Sequence, residues 1–246
     1  MPPVPVSRWC APQTGHVDDG AQARVAARIP GAAGLGLVPP PSAPLVPAVD
    51  LADTDRVVRL IAARAHAVDR VAATVWWYSA STVLLSPALA GLVTGVPLSG
   101  RLADLSLVFR SDGLPVAAVA GGGTDDVAAD LRGTLTTVIG AVAAAGRMGE
   151  RPLWAIATDS IANQLLALGR AVGDVPAATA HAGPLAAAIG SPLPVPRYVD
   201  VAGARFTRRA SCCLMLELPG GALCTSCPRR PPAERHALLQ QAARWF

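Results

Sequence analysis

Lysine is absent from this chain, and aromatic and charged residues are scarce. All 21 residues of the Lys+Arg total are arginine; aromatic residues make up 4% and charged residues 15% of the 246 residues. We attribute the arginine preference first to the coding bias of a GC-rich genome. The scarcity of aromatics argues against nucleic acid as a partner, since single strands are bound by stacking on aromatic side chains.

The positive charge is concentrated near the C-terminus. Residues 1–196 hold 13 Arg against 14 acidic residues, whereas residues 197–246 hold 8 Arg against 3, a local balance of about +5. A basic patch favours nucleic acid only when a recognition motif accompanies it. No helix-turn-helix pattern accompanies this one, so a sensor that acts on DNA is disfavoured.

Export and hydrolytic signatures are also missing. The first twenty residues have no continuous apolar segment typical of a secretory signal, and Cys10 follows Arg8 and Trp9 rather than the small residues of a lipid-attachment site. Neither G-x-S-x-G nor H-E-x-x-H occurs. We therefore expect a cytoplasmic protein without a hydrolytic nucleophile.

One uncharged run is long enough to cross a bilayer. Val71 to Gly100 spans thirty residues without a charge, but serines and Pro87 interrupt it and Trp76-Trp77-Tyr78 lies inside it. This pattern predicts two helices of a protein core that meet near Ser86-Pro87. Contact with a membrane surface stays open. The three aromatics are candidates to line a pocket, although core packing is the favoured interpretation.

The periodicity predicts a mainly α (α+β) fold with one β-hairpin and a small irregular C-terminal lobe. Residues 1–48 are rich in Pro and Gly and are expected to form an irregular or extended arm, residues 49–200 a helical domain, and residues 201–246 a separate module. Alternation over 104–120 with a turn at Asp112-Gly113 predicts the hairpin.

Helices are expected from Asp50 through about residue 73 and near 125–146, 152–172, 177–190 and 231–246. We expect Thr124 or Asp125 to cap the second of these. His66 is interpreted as a partly exposed helix histidine. Leu238, Leu239, Ala242, Trp245 and Phe246 of the last helix are expected to pack onto the body of the protein.

Four of the five cysteines fall within sixteen residues, as C-C-x10-C-x2-C: Cys212, Cys213, Cys224 and Cys227. Disulfides are disfavoured, because adjacent cysteines bridge only with strain and the cytoplasm keeps thiols reduced. Structural zinc normally pairs two C-x2-C knuckles, and only one is present. A [2Fe–2S] cluster takes two thiolates per iron and tolerates more divergent sulfurs. The spacing favours the cluster and leaves zinc open.

Arginines flank the cysteines on both sides: Arg208 and Arg209 before them, Arg229 and Arg230 after them. An oxidised [2Fe–2S] cluster with four thiolates carries a formal charge of about −2. Nearby positive charge would raise its reduction potential and attract an anionic substrate. The alternative is that some of these arginines are simply solvated. Pro219-Gly220-Gly221 predicts the turn that lets the two cysteine pairs meet.

R-R-x-S-C-C-L from Arg208, followed by P-G-G and C-x-x-C-P, resembles the C-terminal signature of the FhuF-like ferric-siderophore reductases, and the run from Trp77 to Leu89 resembles their helical domain more loosely. The resemblance implies a [2Fe–2S] cluster on Cys212, Cys213, Cys224 and Cys227 and one-electron reduction of ferric siderophores, with release of Fe(II) in the cytoplasm. Met215 and Leu216 replace the usual aromatics after C-C-L, and Thr225-Ser226 replaces a glycine and acidic pair.

No flavin or nicotinamide fingerprint is present, so the electron is expected from a separate ferredoxin, flavodoxin or reductase. The helical domain is expected to form the platform for the ferric siderophore. The competing class is a siderophore-binding or iron-handling protein in which zinc or an iron–sulfur cluster is only a structural staple.

Overall fold

The computed structural model describes residues 19–65 and 68–245. Its element order confirms the mainly α prediction. The helices are α1 (Asp19–Ala27), α2 (Thr54–Ala62), α3 (Arg70–Thr94), α4 (Val127–Ala145), α5 (Arg151–Val172), α6 (Val175–Ala180), α7 (Ala182–Ile189) and α8 (Pro232–Ala243). The strands are β1 (Val46–Pro47), β2 (Leu105–Phe109), β3 (Pro115–Ala120), β4 (Tyr198–Val201) and β5 (Ala204–Thr207).

Helices α3 and α5 form the centre of the fold. Trp76 and Trp77 of α3 are almost wholly buried, and their indole N–H groups donate to Gly113 O and Leu153 O, each at 2.9 Å. The Ser81 and Ser160 hydroxyls pair across the two helices at 2.7 Å. Both tryptophans are therefore core residues, as the favoured interpretation held, since their polar atoms are satisfied inside the body.

The run predicted as two helices is a single helix through Pro87. Proline removes one backbone donor from a helix. The polar residues that suggested a break are satisfied internally instead: Ser81 and Ser86 donate to the carbonyls four residues earlier, at 2.7 and 2.8 Å. Gln164 of α5 also donates to the Ser86 hydroxyl at 2.7 Å. The prediction of two helices was wrong because such back-bonding keeps polar residues inside a helix.

The predicted hairpin exists and gains a third strand. Strands β2 and β3 pair antiparallel, with Gly113 at φ +77° in the turn, and β1 adds to the outer edge of β2. A second antiparallel hairpin, β4–β5, was not predicted. Its strands have four residues each, which is too short for alternation to stand out.

Residues 19–48 are not an irregular arm. Helix α1 lies there, and Val25, Ile29 and Leu37 are buried in the main core. The side chain of Gln22 donates to Leu37 O and Ala118 O and accepts from Ala120 N, which attaches α1 to β3. Proline and glycine mark chain reversals here rather than an extended segment. Residues 1–18, with Cys10, lie outside the described residues.

Several helix boundaries differ from the predictions. Helix α2 starts after Asp53, whose carboxylate accepts from Asp55 N, and ends at Ala62. Asp126, and not Thr124 or Asp125, caps α4. The single helix predicted near 177–190 is two helices, α6 and α7, which meet at His181. His66 lies outside the described residues.

Helix α4 is the one helix in the described residues that is long and apolar enough to span a membrane by length and composition. Half of its most apolar window is buried in the protein. Such a helix is weak evidence of a span, since core helices have the same composition.

Helix α8 packs on the β4–β5 hairpin rather than on the helical body. Leu239 joins Val201, Ala204 and Phe206 in a small hydrophobic cluster. Trp245 is 85% exposed, so its predicted packing was wrong, and Phe246 lies outside the described residues. The predicted boundary near residue 200 remains a prediction.

Candidate metal centre

The cysteine segment folds through irregular backbone rather than through a helix or strand. Leu214, directly after the adjacent cysteines, takes a left-handed conformation with φ +59°, which supplies the bend that adjacent cysteines need to turn together. The predicted turn forms at Pro219-Gly220, with Gly221 N donating to Leu218 O at 2.8 Å. A Cβ on Gly221 would lie 2.0 Å from Met215 O, so only glycine fits there.

The four cysteines are free thiols within this segment. Cys213 and Cys227 are buried, whereas Cys212 and Cys224 are partly exposed. A hydrogen bond from Cys224, with support from Met215 N and Arg209, outweighs burial and lowers the pKa of Cys213 to about 5. The same bond raises the pKa of Cys224. The two sulfurs therefore titrate as a coupled pair, and the charge of Arg209 favours the state in which one of them is a thiolate.

Arg209 is the one predicted arginine whose guanidinium reaches the sulfurs. Its Nη1 lies 3.2 Å from Cys224 Sγ and 3.7 Å from Cys213 Sγ, and its side chain is only 3% exposed. Its Cζ lies 4.8 Å from the centre of the Tyr78 ring on α3, a cation–π contact. Burial raises the pKa of Tyr78, so the ring remains a neutral phenol beside the cation.

The buried carboxylate of Asp159 on α5 anchors the residues just before the adjacent cysteines. This carboxylate accepts from Ala210 N at 2.7 Å, Ser211 N at 3.0 Å and Ser211 Oγ at 2.7 Å, and it lies 3.4 Å from Arg209 Nε. The Asp159 side chain is 1% exposed. A buried carboxylate is stable only when paired and hydrogen-bonded, and here the residues preceding the cysteines provide every partner.

The other three arginines have different environments. Arg208 is exposed, Arg229 pairs with Glu217 at 3.3 Å on the surface, and Arg230 donates to Leu223 O and Cys224 O at 2.6 and 2.9 Å. Arg230 thus stabilises the backbone before the second cysteine pair rather than facing the sulfurs. Of the four predicted arginines, Arg209 contacts the sulfurs directly and Arg230 anchors the backbone.

The donor chemistry fits a soft metal group, although the side chains are not arranged as a closed ligand set. Thiolates are the usual ligands of zinc and of iron–sulfur clusters, and a buried cation beside them stabilises negative charge. Across residues 19–65 and 68–245, no three Cys, His, Asp or Glu side chains form a group that could hold a metal ion. The four cysteines would have to come closer together to hold such a group.

A cleft opens beside Cys212, between the cysteine segment and the starts of α3 and α5. Its volume is about 360 Å³, and its lining includes Arg70, Thr74, Arg151, Ala155 and Cys212. Arg70 pairs with Glu217 at 3.1 Å. Arg151, at the first residue of α5, has no ion-pair partner among the described residues. Arg70 is therefore compensated by Glu217, and Arg151 is the positive charge of the cleft that no ion pair among the described residues offsets.

Sequence reasoning missed Asp159, Tyr78 as the partner of Arg209, and the cleft arginines Arg70 and Arg151. Asp159 lies between Thr158 and Ser160 on a buried part of α5. A charged residue on a buried helix face was the available signal, because such residues are rarely buried unless paired.

Residues 209–229 match the family model described as the FhuF 2Fe-2S C-terminal domain. The match covers the segment that contains the four cysteines and confirms the resemblance there. No curated protein and no solved structure matches the chain.

Proposed function

We propose that this protein is a cytoplasmic ferric-siderophore reductase that uses a [2Fe–2S] cluster held by Cys212, Cys213, Cys224 and Cys227. The observation that carries the proposal is the contact of the buried Arg209 guanidinium with the sulfurs of Cys213 and Cys224, inside the segment that matches the FhuF 2Fe-2S domain and contains all four cysteines. Such a cluster supplies a centre that accepts and donates one electron at a time.

The protein's own residues fit that role in two ways. Arg209 favours the more negative, reduced form by electrostatic attraction, and burial strengthens the effect because the local dielectric is low. Asp159 keeps Arg209 and the backbone of Ala210 and Ser211 in place. Together they support a positive environment that is fixed before any substrate arrives.

The substrate side of the reaction is iron chemistry rather than acid–base chemistry. Hard hydroxamate or catecholate oxygens bind Fe(III) far more tightly than Fe(II). One electron passed to the chelate converts Fe(III) to Fe(II), and the iron then leaves a weakened complex. A separate ferredoxin, flavodoxin or reductase supplies that electron, one for each iron released.

We place the chelate at the cleft beside Cys212. Cys212 is a partly exposed thiol that lines this cleft, so a molecule there is close to the metal group. Arg70 and Arg151 at its edge favour a chelate with net negative charge. Met148 and Pro152 add apolar surface for the organic part of the ligand.

The first experiment identifies the metal. Protein purified without oxygen is assayed for iron, sulfide and zinc, and its absorption and EPR spectra are recorded before and after dithionite. About two irons and two sulfides per chain, with an EPR signal on reduction, are expected. A colourless protein with one zinc would overturn the proposal and leave a zinc-stapled binding protein.

Cysteine variants test the ligand set on the same readouts. Cys213→Ser and Cys227→Ser are expected to lose the iron and the visible absorption, because a serine hydroxyl is a poor ligand for this metal group. Cys10→Ser is the control and is expected to keep both. Full iron content in the Cys213 and Cys227 variants would assign the cluster elsewhere.

The cleft is tested with two chelates that share the same iron-binding donors but carry opposite net charges. Ferrioxamine B carries one net positive charge, and its N-succinyl derivative carries one net negative charge with the same hydroxamate donors. Reduced protein, mixed rapidly with each in the presence of an Fe(II) trap, is expected to react faster with the anionic chelate at low salt.

Arg151→Gln is expected to remove most of that preference, whereas Arg24→Gln, an exposed arginine of α1 outside the cleft, is expected to keep it. Equal rates for the two chelates in the unmodified protein would place the docking site elsewhere. If neither chelate reoxidised the cluster and no Fe(II) formed, the reductase assignment itself would fail.

A further inference from the structure

A second cavity lies on the other side of the cysteine segment, between the β4–β5 hairpin and α8. We name it the C-terminal cavity; its volume is about 190 Å³, and its lining includes Thr207, Arg208, Arg209, Ser226, Arg235 and Leu239. It is distinct from the cleft beside Cys212 in every lining residue. Among the described residues, three arginines and no acidic residue line it.

Two buried polar atoms without partners belong to residues that line this cavity. Thr207 Oγ1 and Arg209 Nη2 are the only buried side-chain nitrogen or oxygen atoms of the described residues that make no hydrogen bond. Thr207 is 6% exposed, and the Arg209 side chain 3%. Buried polar groups are nearly always satisfied, so two unsatisfied atoms at one cavity indicate a missing polar ligand.

The charge around the cavity identifies the class of that ligand. Arg235 donates only to the backbone carbonyls Cys227 O and Arg230 O, at 3.4 and 3.3 Å. Arg208 and Arg235 have no ion-pair partner among the described residues, whereas Arg209 faces both the carboxylate of Asp159 and the sulfurs of Cys213 and Cys224. Guanidinium groups and a hydroxyl are the donors that bind oxyanions.

We propose that the C-terminal cavity binds a small inorganic oxyanion of the phosphate or sulfate class. Arg208, Arg209 and Arg235 supply the positive charge, and Thr207 Oγ1 supplies a neutral donor. An oxyanion satisfies the hydroxyl and the guanidinium that are otherwise buried without partners. A neutral polar molecule such as water would satisfy hydrogen bonds but would leave the charge of the arginines uncompensated.

Arg209 connects this cavity to the sulfurs. Its Nη1 contacts Cys224 Sγ and Cys213 Sγ, while its Nη2 has no partner. A bound oxyanion offsets part of the positive charge that the sulfurs experience. Phosphate is therefore expected to lower the reduction potential of the metal group; this consequence rests on the proposed function, whereas oxyanion binding does not.

The test is calorimetric titration of the full-length protein, as purified, with inorganic phosphate at constant ionic strength, repeated with sulfate. Saturable binding at one site per chain is expected. Thr207→Val and Arg235→Gln are each expected to weaken it about tenfold, the effect of losing one charge-assisted or buried hydrogen bond. Arg244→Gln, directly after the end of α8 and outside the cavity, is the control and should change binding less than about twofold.

Stability measurements keep the test valid if a variant folds poorly. Without phosphate, Thr207→Val should be as stable as the unmodified protein or more stable, because it removes an unsatisfied hydroxyl. With phosphate, the unmodified protein and Arg244→Gln should gain more melting temperature than Thr207→Val and Arg235→Gln. Arg208→Gln changes an exposed side chain and provides a third binding variant.

The absence of saturable phosphate or sulfate binding would overturn the proposal, as would binding unchanged in Thr207→Val, Arg208→Gln and Arg235→Gln. A redox titration with and without phosphate then tests the connection through Arg209. Phosphate binding without a change in potential would confirm the site and remove the connection to the metal group, while the reductase assignment would be decided separately by the chelate experiment.

Discussion

The residues before Pro196 and those after it bury very different amounts of apolar side chain. The main core contains 45 buried hydrophobic residues between Val25 and Leu193, whereas the hairpin and α8 share a cluster of four. The cysteine segment itself is attached by polar contacts: the carboxylate of Asp159, the Tyr78 ring on Arg209 and the ion pair of Arg70 with Glu217.

This difference shows how stability is divided in the molecule. Apolar burial scales with area and depends little on any single partner, so the helical body has a stable core of its own. Polar anchors are directional, and the loss of one leaves its partner buried without compensation. We therefore expect the cysteine segment to loosen under changes that leave the body folded.

The largest expected effect is in the body. Trp77→Ala removes a fully buried indole and its hydrogen bond to Leu153 O. It is expected to lower the free energy of unfolding by about 3–5 kcal/mol, measured by urea denaturation with helix content as the signal. Trp245→Ala, at an 85% exposed side chain, is the control. A similar loss in both variants would contradict the placement of Trp77.

Asp159→Asn breaks the connection between the body and the cysteine segment. It leaves Arg209 buried without the carboxylate of Asp159 as its counter-charge. The expected loss of stability is about 3 kcal/mol, and it should fall on the cysteine segment rather than on the whole molecule. Hydrogen exchange should rise at residues 205–229 and remain unchanged in α4. Asp200→Asn removes an exposed ion pair with Arg205 and should cost at most about 1 kcal/mol. Uniform exchange throughout the chain would show that the two regions unfold together.

Gly221→Ala tests the backbone of the cysteine segment alone. A methyl group there would meet Met215 O at 2.0 Å, so the turn must shift, at a cost of about 1–3 kcal/mol. The metal group should be lost faster to a chelator, with unfolding of the body unchanged. Gly149→Ala, where a Cβ meets nothing within 4 Å, is the control. An unchanged rate of metal loss would show that the turn does not position the cysteines.

The smallest expected effect concerns acid stability of the body. Burial raises the pKa of Asp130, but hydrogen bonds from Thr124 and the charge of Arg101 outweigh it, and the net pKa is lowered. Its contribution to stability is present above the unfolded-state pKa of about 4 and is lost as the pH falls through the lower folded-state value. Asp130→Asn should reduce this loss of stability at acid pH, measured as the free energy of unfolding against pH. The same loss in the variant and the unmodified protein would exclude Asp130 as its source.

The sequence predicted those features that depend on residues close together in the chain. The cysteine spacing indicated a thiolate metal site, and the turn predicted at Pro219-Gly220 forms. The β2–β3 hairpin was likewise predicted from local alternation and one turn. Helix ends were less accurate, because caps such as Asp53 and Asp126 compete with neighbouring acidic residues that look equally suitable.

What the sequence alone determined is the set of chemical groups: four thiols, a basic C-terminal region and enough apolar residues for one helical core. The tertiary structure decided which of the arginines faces the sulfurs and what holds it there. Arg209 and Asp159 are 50 residues apart, and Thr207 and Arg235 meet only across a hairpin and a helix. Their roles depend on burial and on partners distant in the chain, and both are properties of the folded molecule.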